Sequence, residues 1–146
     1  MWSELIISAI VVTVCIGIYY LVTGKPPGAR IIEQDPPIDS GLDENQATFM
    51  FFYASWCPHC KHAEQPWASL KQLIKNENYT YGGKYVNFEE INAETNKGKS
   101  ALYKITGYPT FKVVTDKKVY EMVGAPNVSN FREFLKKALG DEKTSH

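Results

Sequence analysis

Arginine is almost absent from this chain of 146 residues, in which Arg30 and Arg132 are the only two among 16 basic side chains. Because the planar guanidinium group is what binds phosphate through paired hydrogen bonds, this composition is poor for phosphate recognition. An excess of charge is lacking too, since 16 acidic side chains balance the basic ones. With no long basic patch interleaved with aromatic residues, the sequence argues against a nucleic-acid partner.

Cysteine is scarce as well, and three cysteines are too few for a small domain held together by disulfides. Cys15 lies in an apolar run, whereas Cys57 and Cys60 form a single C-x-x-C pair beside a strand–helix pattern, which is more typical of redox chemistry than of zinc. Structural zinc needs four ligands, usually from two separate segments. The available candidates come from one segment: Cys57, His59, Cys60 and His62. The sequence therefore predicts no metal and no other cofactor.

A charge-free run of 18 apolar or uncharged residues extends from Leu5 to Val22. As a helix rising about 1.5 Å per residue, it would span roughly the hydrocarbon core of a bilayer. A cleaved signal peptide and a buried core helix are the less favoured alternatives, and the signal peptide is disfavoured because residues 1–4 contain an acid and no basic side chain. We therefore expect a transmembrane anchor over residues 1–23, in contact with the membrane through residues 5–22.

The rest of the chain divides by composition. Residues 24–45 are rich in proline and glycine and are predicted to be an extended, semi-rigid linker. A globular domain is predicted over residues 46–140, with a short tail over residues 141–146. Its apolar periodicity gives the order β-α-β-α-β-β-α, an α/β domain in which helices cover a mixed sheet. The predicted strands are 47–54, 85–92, 110–115 and 119–123, and the predicted helices are 57–77, 95–104 and 131–139.

The chemistry is expected at the start of the first domain helix. Cys57 follows a strand directly, so its thiolate would be stabilised by unpaired backbone N–H groups and by the helix dipole, which lower a thiol pKa. Cys60 lies in the same turn and could resolve a mixed disulfide formed by Cys57. His59, if protonated or donating a hydrogen bond, would stabilise the thiolate further and make the couple more oxidising. The Tyr108–Pro109 bond precedes a strand, where either a cis bond or an ordinary trans bond fits.

These features together resemble thioredoxin-fold proteins, and most closely the catalytic domains of protein disulfide isomerases. The similarity covers about residues 46–140 and rests on separate motifs in the expected order. They are Phe52–Lys61, which contains Cys-Pro-His-Cys, then Ile105–Thr110, and then Val123–Ala125 followed by Phe131–Leu139. The resemblance implies a thioredoxin fold, with a central mixed sheet flanked by helices.

The resemblance also implies roles for individual residues. Cys57 would be the attacking cysteine and Cys60 the resolving one. Pro109 would be cis and lie against the dithiol, the backbone of Tyr108 would pair with an extended substrate segment, and Trp56 would shape the rim of the site.

Some positions depart from the family pattern. Phe51 stands where the family usually buries an acid that relays a proton for the second cysteine. Glu90 falls where many thioredoxins have the lysine facing that acid, and we hypothesise that Glu90 supplies the missing carboxylate. The additional N-terminal strand and helix of the family leave little trace, unless part of residues 29–45 provides them.

The function expected is therefore a membrane-anchored oxidoreductase that forms or isomerises disulfides in cysteine-containing proteins and is recycled by an unidentified redox partner. One alternative is a thioredoxin-like reductase, and another is a redox-inactive, membrane-tethered structural or binding module. The side of the membrane stays open. Lys25 and Arg30 weakly favour the cytosol, whereas oxidising thioredoxin folds usually work outside it. An endoplasmic-reticulum-type membrane and the internal membrane of a large DNA virus particle both remain as locations.

Overall fold

The computed structural model describes residues 1–23 and 30–145. Residues 24–29 of the predicted linker, with Lys25, and the terminal His146 lie outside the described residues. The helices are α1 (Trp2–Thr23), α2 (Pro58–Glu77), α3 (Lys97–Leu102) and α4 (Val128–Leu139). The strands are β1 (Arg30–Gln34), β2 (Gln46–Tyr53), β3 (Tyr79–Tyr81), β4 (Tyr85–Asn92), β5 (Thr110–Val114), β6 (Val119–Val123) and β7 (Glu142–Thr144).

The main sheet has the strand order β1-β6-β5-β2-β4. Neighbours β2 and β4 run parallel, and every other neighbouring pair runs antiparallel. The predicted hairpin between β5 and β6 is present, with Val114 opposite Val119 at its closed end. The mixed sheet flanked by helices that the resemblance implies is therefore confirmed, and a long apolar helix, α1, precedes it in the chain.

Strand β2 is buried on both faces, as its continuous apolar sequence predicts. Ala47, Phe49 and Phe51 join one core cluster, which also contains the buried side chains of α2 and α4. Met50 and Phe52 join the other cluster, which packs against Leu102 of α3. Because successive side chains of a strand point to opposite faces of the sheet, β2 lies between the two core clusters and contributes side chains to both.

Helix α2 presents one apolar face to the first core. Its buried residues recur at intervals of three and four, which is the spacing that places them on one side of a helix. They are Cys60, Ala63, Trp67, Leu70 and Ile74. The ring of Trp67 packs edge-on against Phe49 with 4.8 Å between centroids, so the middle of α2 is fixed to the central strand.

The predicted linker is wrong for Arg30–Gln34, because these residues form β1 and pair with β6 along its full length. Within the described part of residues 29–45 there is thus one strand, β1, while residues 35–45 contain no helix. The sequence signal is weak because β1 is an edge strand of which Ile31 is half-buried and Ile32 is 44% exposed. Long-range pairing, not local apolar periodicity, forms this strand.

Within the predicted tail over residues 141–146, Glu142–Thr144 form a strand, β7, and pair with β3. Strand β3 was not predicted either, since three residues carry no readable periodicity. The pairing joins segments more than 60 residues apart, and the Tyr81 hydroxyl donates a hydrogen bond to Glu142 at 2.5 Å across it. The predicted helix over residues 95–104 is shorter in the structure, where α3 spans Lys97–Leu102.

Candidate active site

Cys57 and Cys60 are joined as a disulfide, with 5.3 Å between their Cα atoms. Cys57 is the N-cap of α2, and its sulfur accepts a hydrogen bond from the backbone N–H of Cys60 at 3.2 Å. Pro58 occupies the first helical position, where the missing N–H costs nothing. Cys57 is 3% exposed and Cys60 is 2% exposed. The cysteine pair therefore lies at the first turn of a helix whose apolar face is packed in the core.

The loop before the dithiol is tied to the neighbouring strand end. The backbone N–H of Ala93, which follows β4, donates to the carbonyl of Tyr53 at 2.8 Å. The Ser55 hydroxyl donates to a carboxylate oxygen of Glu94 at 2.5 Å. Sequence reasoning missed this second contact, because it joins two exposed polar residues 39 positions apart. Both bonds hold the segment that delivers Cys57 to the start of α2.

The loop before β5 contains a cis peptide bond between Tyr108 and Pro109, which is the geometry that the resemblance implies. The rings of Trp56 and Tyr108 meet edge to face with 6.2 Å between centroids. Trp56 is 67% exposed, which is unusual for so large an aromatic side chain. The two rings therefore join the loop before Cys57 to the loop that carries Pro109, and they form an aromatic rim.

A groove of about 620 Å³ lies between the first turns of α2 and the cis-proline loop. It is lined by His59, His62, Tyr108, Pro109, Phe111, Met122, Gly124 and Pro126. We call it the histidine groove. It brings the predicted site residues His59, Tyr108 and Pro109 together and adds His62, for which no redox role is predicted from the sequence. Within residues 1–23 and 30–145, no three histidine, cysteine or carboxylate side chains are grouped as metal ligands.

Glu90 lies on β4, and its carboxylate accepts hydrogen bonds from Trp67 Nε1 at 2.9 Å and Lys71 Nζ at 2.6 Å. Partial burial alone would raise the pKa of Glu90, but the hydrogen bonds from Lys71 and Trp67 outweigh it and lower that pKa below its ordinary value. A carboxylate held in its charged form is a weak base near neutral pH. The predicted proton relay stays a prediction, and these contacts do not favour it.

The surroundings of Glu90 form a second groove, on the other side of α2, with a volume of about 470 Å³. It is lined by Phe51, Tyr53, Glu64, Trp67, Ala68, Lys71, Gln72 and Glu90. We call it the α2–β4 groove. Phe51 is 2% exposed and packs in the first core cluster, so an aromatic ring fills the position at which the family usually has an acid.

Comparison with known proteins gives a consistent result. Residues 35–137 match the profile of the family described as Thioredoxin. A thioredoxin domain-containing protein of Theileria parva is 32% identical over 98 residues, which cover 66% of this chain and 40% of that protein. A protein disulfide-isomerase of Hordeum vulgare is 28% identical over 104 residues, which cover 70% of this chain and 20% of that protein. This chain thus spans less than half the length of these curated relatives.

The fold also matches a solved structure, the first thioredoxin domain of mouse protein disulfide-isomerase A4. The TM-score is 0.56 at 18% sequence identity, and the match covers 71% of this chain and 70% of that one. At such low identity the similarity establishes the shared fold and leaves activity to be argued from the site.

Proposed function

Because this chain belongs to the thioredoxin family, we propose that it is a thiol–disulfide oxidoreductase that forms or isomerises disulfides in cysteine-containing proteins. The observation that carries the proposal is the position of Cys57 as N-cap of α2, with Cys60 in the same turn and bonded to it. A helix N-terminus stabilises a thiolate, and a stable thiolate is both a reactive nucleophile and a good leaving group.

In the oxidising direction, a substrate thiolate attacks the sulfur of Cys57. A new disulfide forms between substrate and Cys57, the Cys57–Cys60 bond breaks, and Cys60 leaves as a thiolate. A second substrate thiolate then attacks the first substrate sulfur, which forms the substrate disulfide and releases Cys57. The two electrons end on the dithiol, and an unidentified redox partner must remove them before the next cycle.

In the isomerising direction, the reduced Cys57 attacks a wrong disulfide of the substrate. The mixed disulfide lasts until a substrate thiol rearranges it, and if none does, Cys60 attacks Cys57 and frees the substrate. His59 follows Pro58 in the first turn of α2, and a hydrogen bond from its imidazole would stabilise the Cys57 thiolate. We propose that His59 thereby moves the couple toward oxidation.

Substrate contact is proposed at the aromatic rim. The exposed ring of Trp56 and the backbone of Tyr108 would hold an extended substrate segment, with Pro109 beside the dithiol. Edge-to-face packing of the two rings supports this role, since it gives the segment a fixed apolar surface.

We further propose that α1 anchors the protein in a membrane. Its 22 residues give a length of about 33 Å, and its apolar side chains are exposed, including Leu5 at 72% and Val22 at 80%. A signal sequence near the N-terminus would look the same. Alkaline carbonate extraction and mass spectrometry of the N-terminus distinguish the two. An anchor would leave the uncleaved protein in the membrane pellet, whereas a signal sequence would be removed from the mature chain.

The activity is tested by equilibrating the full chain, solubilised in detergent, with graded glutathione redox buffers and trapping its thiols with an alkylating reagent. A couple near −180 mV or more positive, roughly the isomerase range, would support a disulfide-forming or isomerising enzyme. A couple near −270 mV, roughly that of thioredoxin, would instead favour the anchored reductase. A dithiol that exchanges with neither glutathione nor a model protein substrate would point to the redox-inactive module.

A further inference from the structure

We infer that the histidine groove binds an acidic side chain next to the target cysteine of the substrate, and that His62 is a residue that recognises it. The inference rests on the proposed function, since it names a substrate class for the same site. It concerns which cysteines are chosen, not the exchange step itself.

The first support is the placement of the two imidazoles. His59 and His62 are three residues apart on α2, so their side chains lie on the same face of the helix, one turn from each other. Both are exposed. The groove is also lined by Tyr108 and Pro109, which are the residues proposed to hold the substrate backbone. A segment seated on that loop would therefore pass beside both imidazoles.

The second support is the charge of the groove. Among the described residues, no carboxylate lines it, and the nitrogen-bearing side chains that line it are the two imidazoles. The acid of α2 closest in sequence, Glu64, lines the α2–β4 groove instead, together with Glu90. Among the described residues, neither His59 nor His62 makes a hydrogen bond or ion pair with another side chain. Their donor groups are thus free for a ligand, and an ionised carboxylate, which only accepts hydrogen bonds, is the protein group that binds an imidazole donor most strongly.

The third support is the apolar floor. Phe111 and Met122 are 3% and 6% exposed and line the base of the groove. An occupant that fits this surface has apolar side chains against the floor and one anionic group at the histidine wall. We therefore expect preferred target cysteines to be followed or preceded by glutamate or aspartate within an otherwise apolar segment, and lysine at that place to be disfavoured.

The test uses the full chain in detergent with Cys60→Ala, which retains the mixed disulfide, and Cys15→Ala, which leaves Cys57 as the reactive thiol. Peptides that differ only in a glutamate, glutamine or lysine beside one cysteine are supplied as disulfides with glutathione. The Cys57 thiolate attacks the peptide sulfur, one disulfide forms as another breaks, and glutathione leaves as a thiolate. Mass spectrometry measures the fraction of Cys57 that has captured the peptide at equilibrium. This fraction is divided by the fraction of the same peptide that free cysteine captures, which corrects for differences in the intrinsic reactivity of the peptide thiols.

We expect the glutamate peptide to be captured about threefold more than the glutamine peptide, as for a single partly exposed charged contact, with the lysine peptide lowest. The substitution His62→Gln should bring the ratio near one. The matched substitution Glu64→Gln, on the other side of α2, should leave the ratio unchanged. Equal capture of all peptides by the parent chain, or an unchanged ratio in His62→Gln, would overturn the inference. Failure to capture any peptide would overturn the proposed function, which is a different result from capture without preference.

Discussion

The sulfur of Cys57 accepts a hydrogen bond from the backbone N–H of Cys60, at 3.2 Å, in the first turn of α2. The N–H groups at a helix start have no carbonyl partners within the helix, so a charged acceptor is bound more strongly there than a neutral one. When the disulfide is reduced, the same geometry favours the thiolate of Cys57. We therefore expect Cys57 to be reactive for a local reason, the backbone at the helix start, independent of any neighbouring side chain.

We accordingly predict that Cys57 of the reduced chain reacts with iodoacetamide with a midpoint pH below about 8.5, the ordinary value for a thiol. The rate of alkylation is measured against pH by mass spectrometry of the full chain. The same measurement after unfolding in guanidinium chloride serves as the control and should return the midpoint to the ordinary value. A folded-state midpoint at or above 8.5 would contradict the role of the helix start.

His59 is predicted to make the dithiol more oxidising, because its imidazole would stabilise the thiolate of Cys57. We expect His59→Ser to lower the reduction potential by on the order of 30 mV, which corresponds to about 1.4 kcal/mol for a two-electron couple. Glutathione titration of the Cys57–Cys60 pair measures it. His62→Gln, one turn further along the same face, is the matched control and should move the potential less. Equal shifts in both variants would indicate a general effect of charge, and no shift in either would remove His59 from the mechanism.

The dithiol and its helix could be predicted because their determinants are local. An apolar run leading directly into Cys57 specifies a buried strand followed by a helix start, and Pro58 is well suited to the first helical position. The cis geometry at Pro109 could be inferred only from the resemblance, because an X-Pro bond before a strand is compatible with both isomers.

The parts that the sequence did not reveal depend on contacts between distant segments. Strand β1 becomes recognisable only once β6 pairs with it, and β7 only once β3 does. The partners of Glu90 are of this kind too, since Lys71 reaches it from a helix 19 residues earlier in the chain. Such contacts leave no local periodicity to read.

For Glu90, the ion pair with Lys71 leads to an expectation opposite to a proton relay. Because its pKa is lowered by Lys71 and Trp67, the carboxylate carries no proton near pH 7 and accepts one poorly. We expect Glu90→Gln to change the rate at which Cys60 resolves a mixed disulfide by less than about twofold. Rapid-mixing release of a glutathione adduct measures that rate. A decrease of about tenfold or more, which is typical of losing a proton-transfer group, would restore the relay hypothesis.

Glu142 of β7 is a second carboxylate with an altered pKa, here for a structural reason. Arg132 donates to it through two nitrogens, at 2.5 and 3.0 Å, and the fully buried Tyr81 donates at 2.5 Å. The hydrogen bonds from Arg132 lower the pKa of Glu142, although partial burial acts against them. Burial is the main cause that raises the pKa of Tyr81, and its bond to Glu142 adds to it. Through Glu142, the network joins the β3–β7 pair to Arg132 of α4.

We predict that Glu142→Gln lowers the free energy of unfolding at pH 7 by about 2 kcal/mol, the order expected when a buried hydroxyl and a guanidinium lose a charged partner. A carboxyl whose pKa is lower in the folded chain contributes stability above its unfolded pKa, near 4.3, and loses it as the pH falls through the folded value. The gap in melting temperature between parent and variant should therefore shrink below about pH 4. Glu64→Gln, which removes an exposed carboxylate, should show little gap at any pH. A gap that does not depend on pH would mean that the charge of Glu142 is not what stabilises the fold.

Two adjacent glycines allow the steric part of the β3–β7 closure to be measured. A Cβ added at Gly82 would lie 1.8 Å from the carbonyl oxygen of Leu139 at the end of α4, whereas one added at Gly83 would meet no atom of the described residues within 4 Å. Both residues have positive φ, 58° and 78°, so an alanine at either position meets a comparable backbone penalty of roughly 1 kcal/mol. We expect Gly83→Ala to lower the free energy of unfolding by roughly 1 kcal/mol. Gly82→Ala should lower it by at least about 3 kcal/mol, because the end of α4 must move to admit the new methyl group. Chemical denaturation of the full chain in detergent measures both. Equal losses of unfolding free energy in the two variants would show that Leu139 moves away easily and that β7 is not packed closely against the domain. The expected difference would place residues 141–145 within the folded unit and not in a tail.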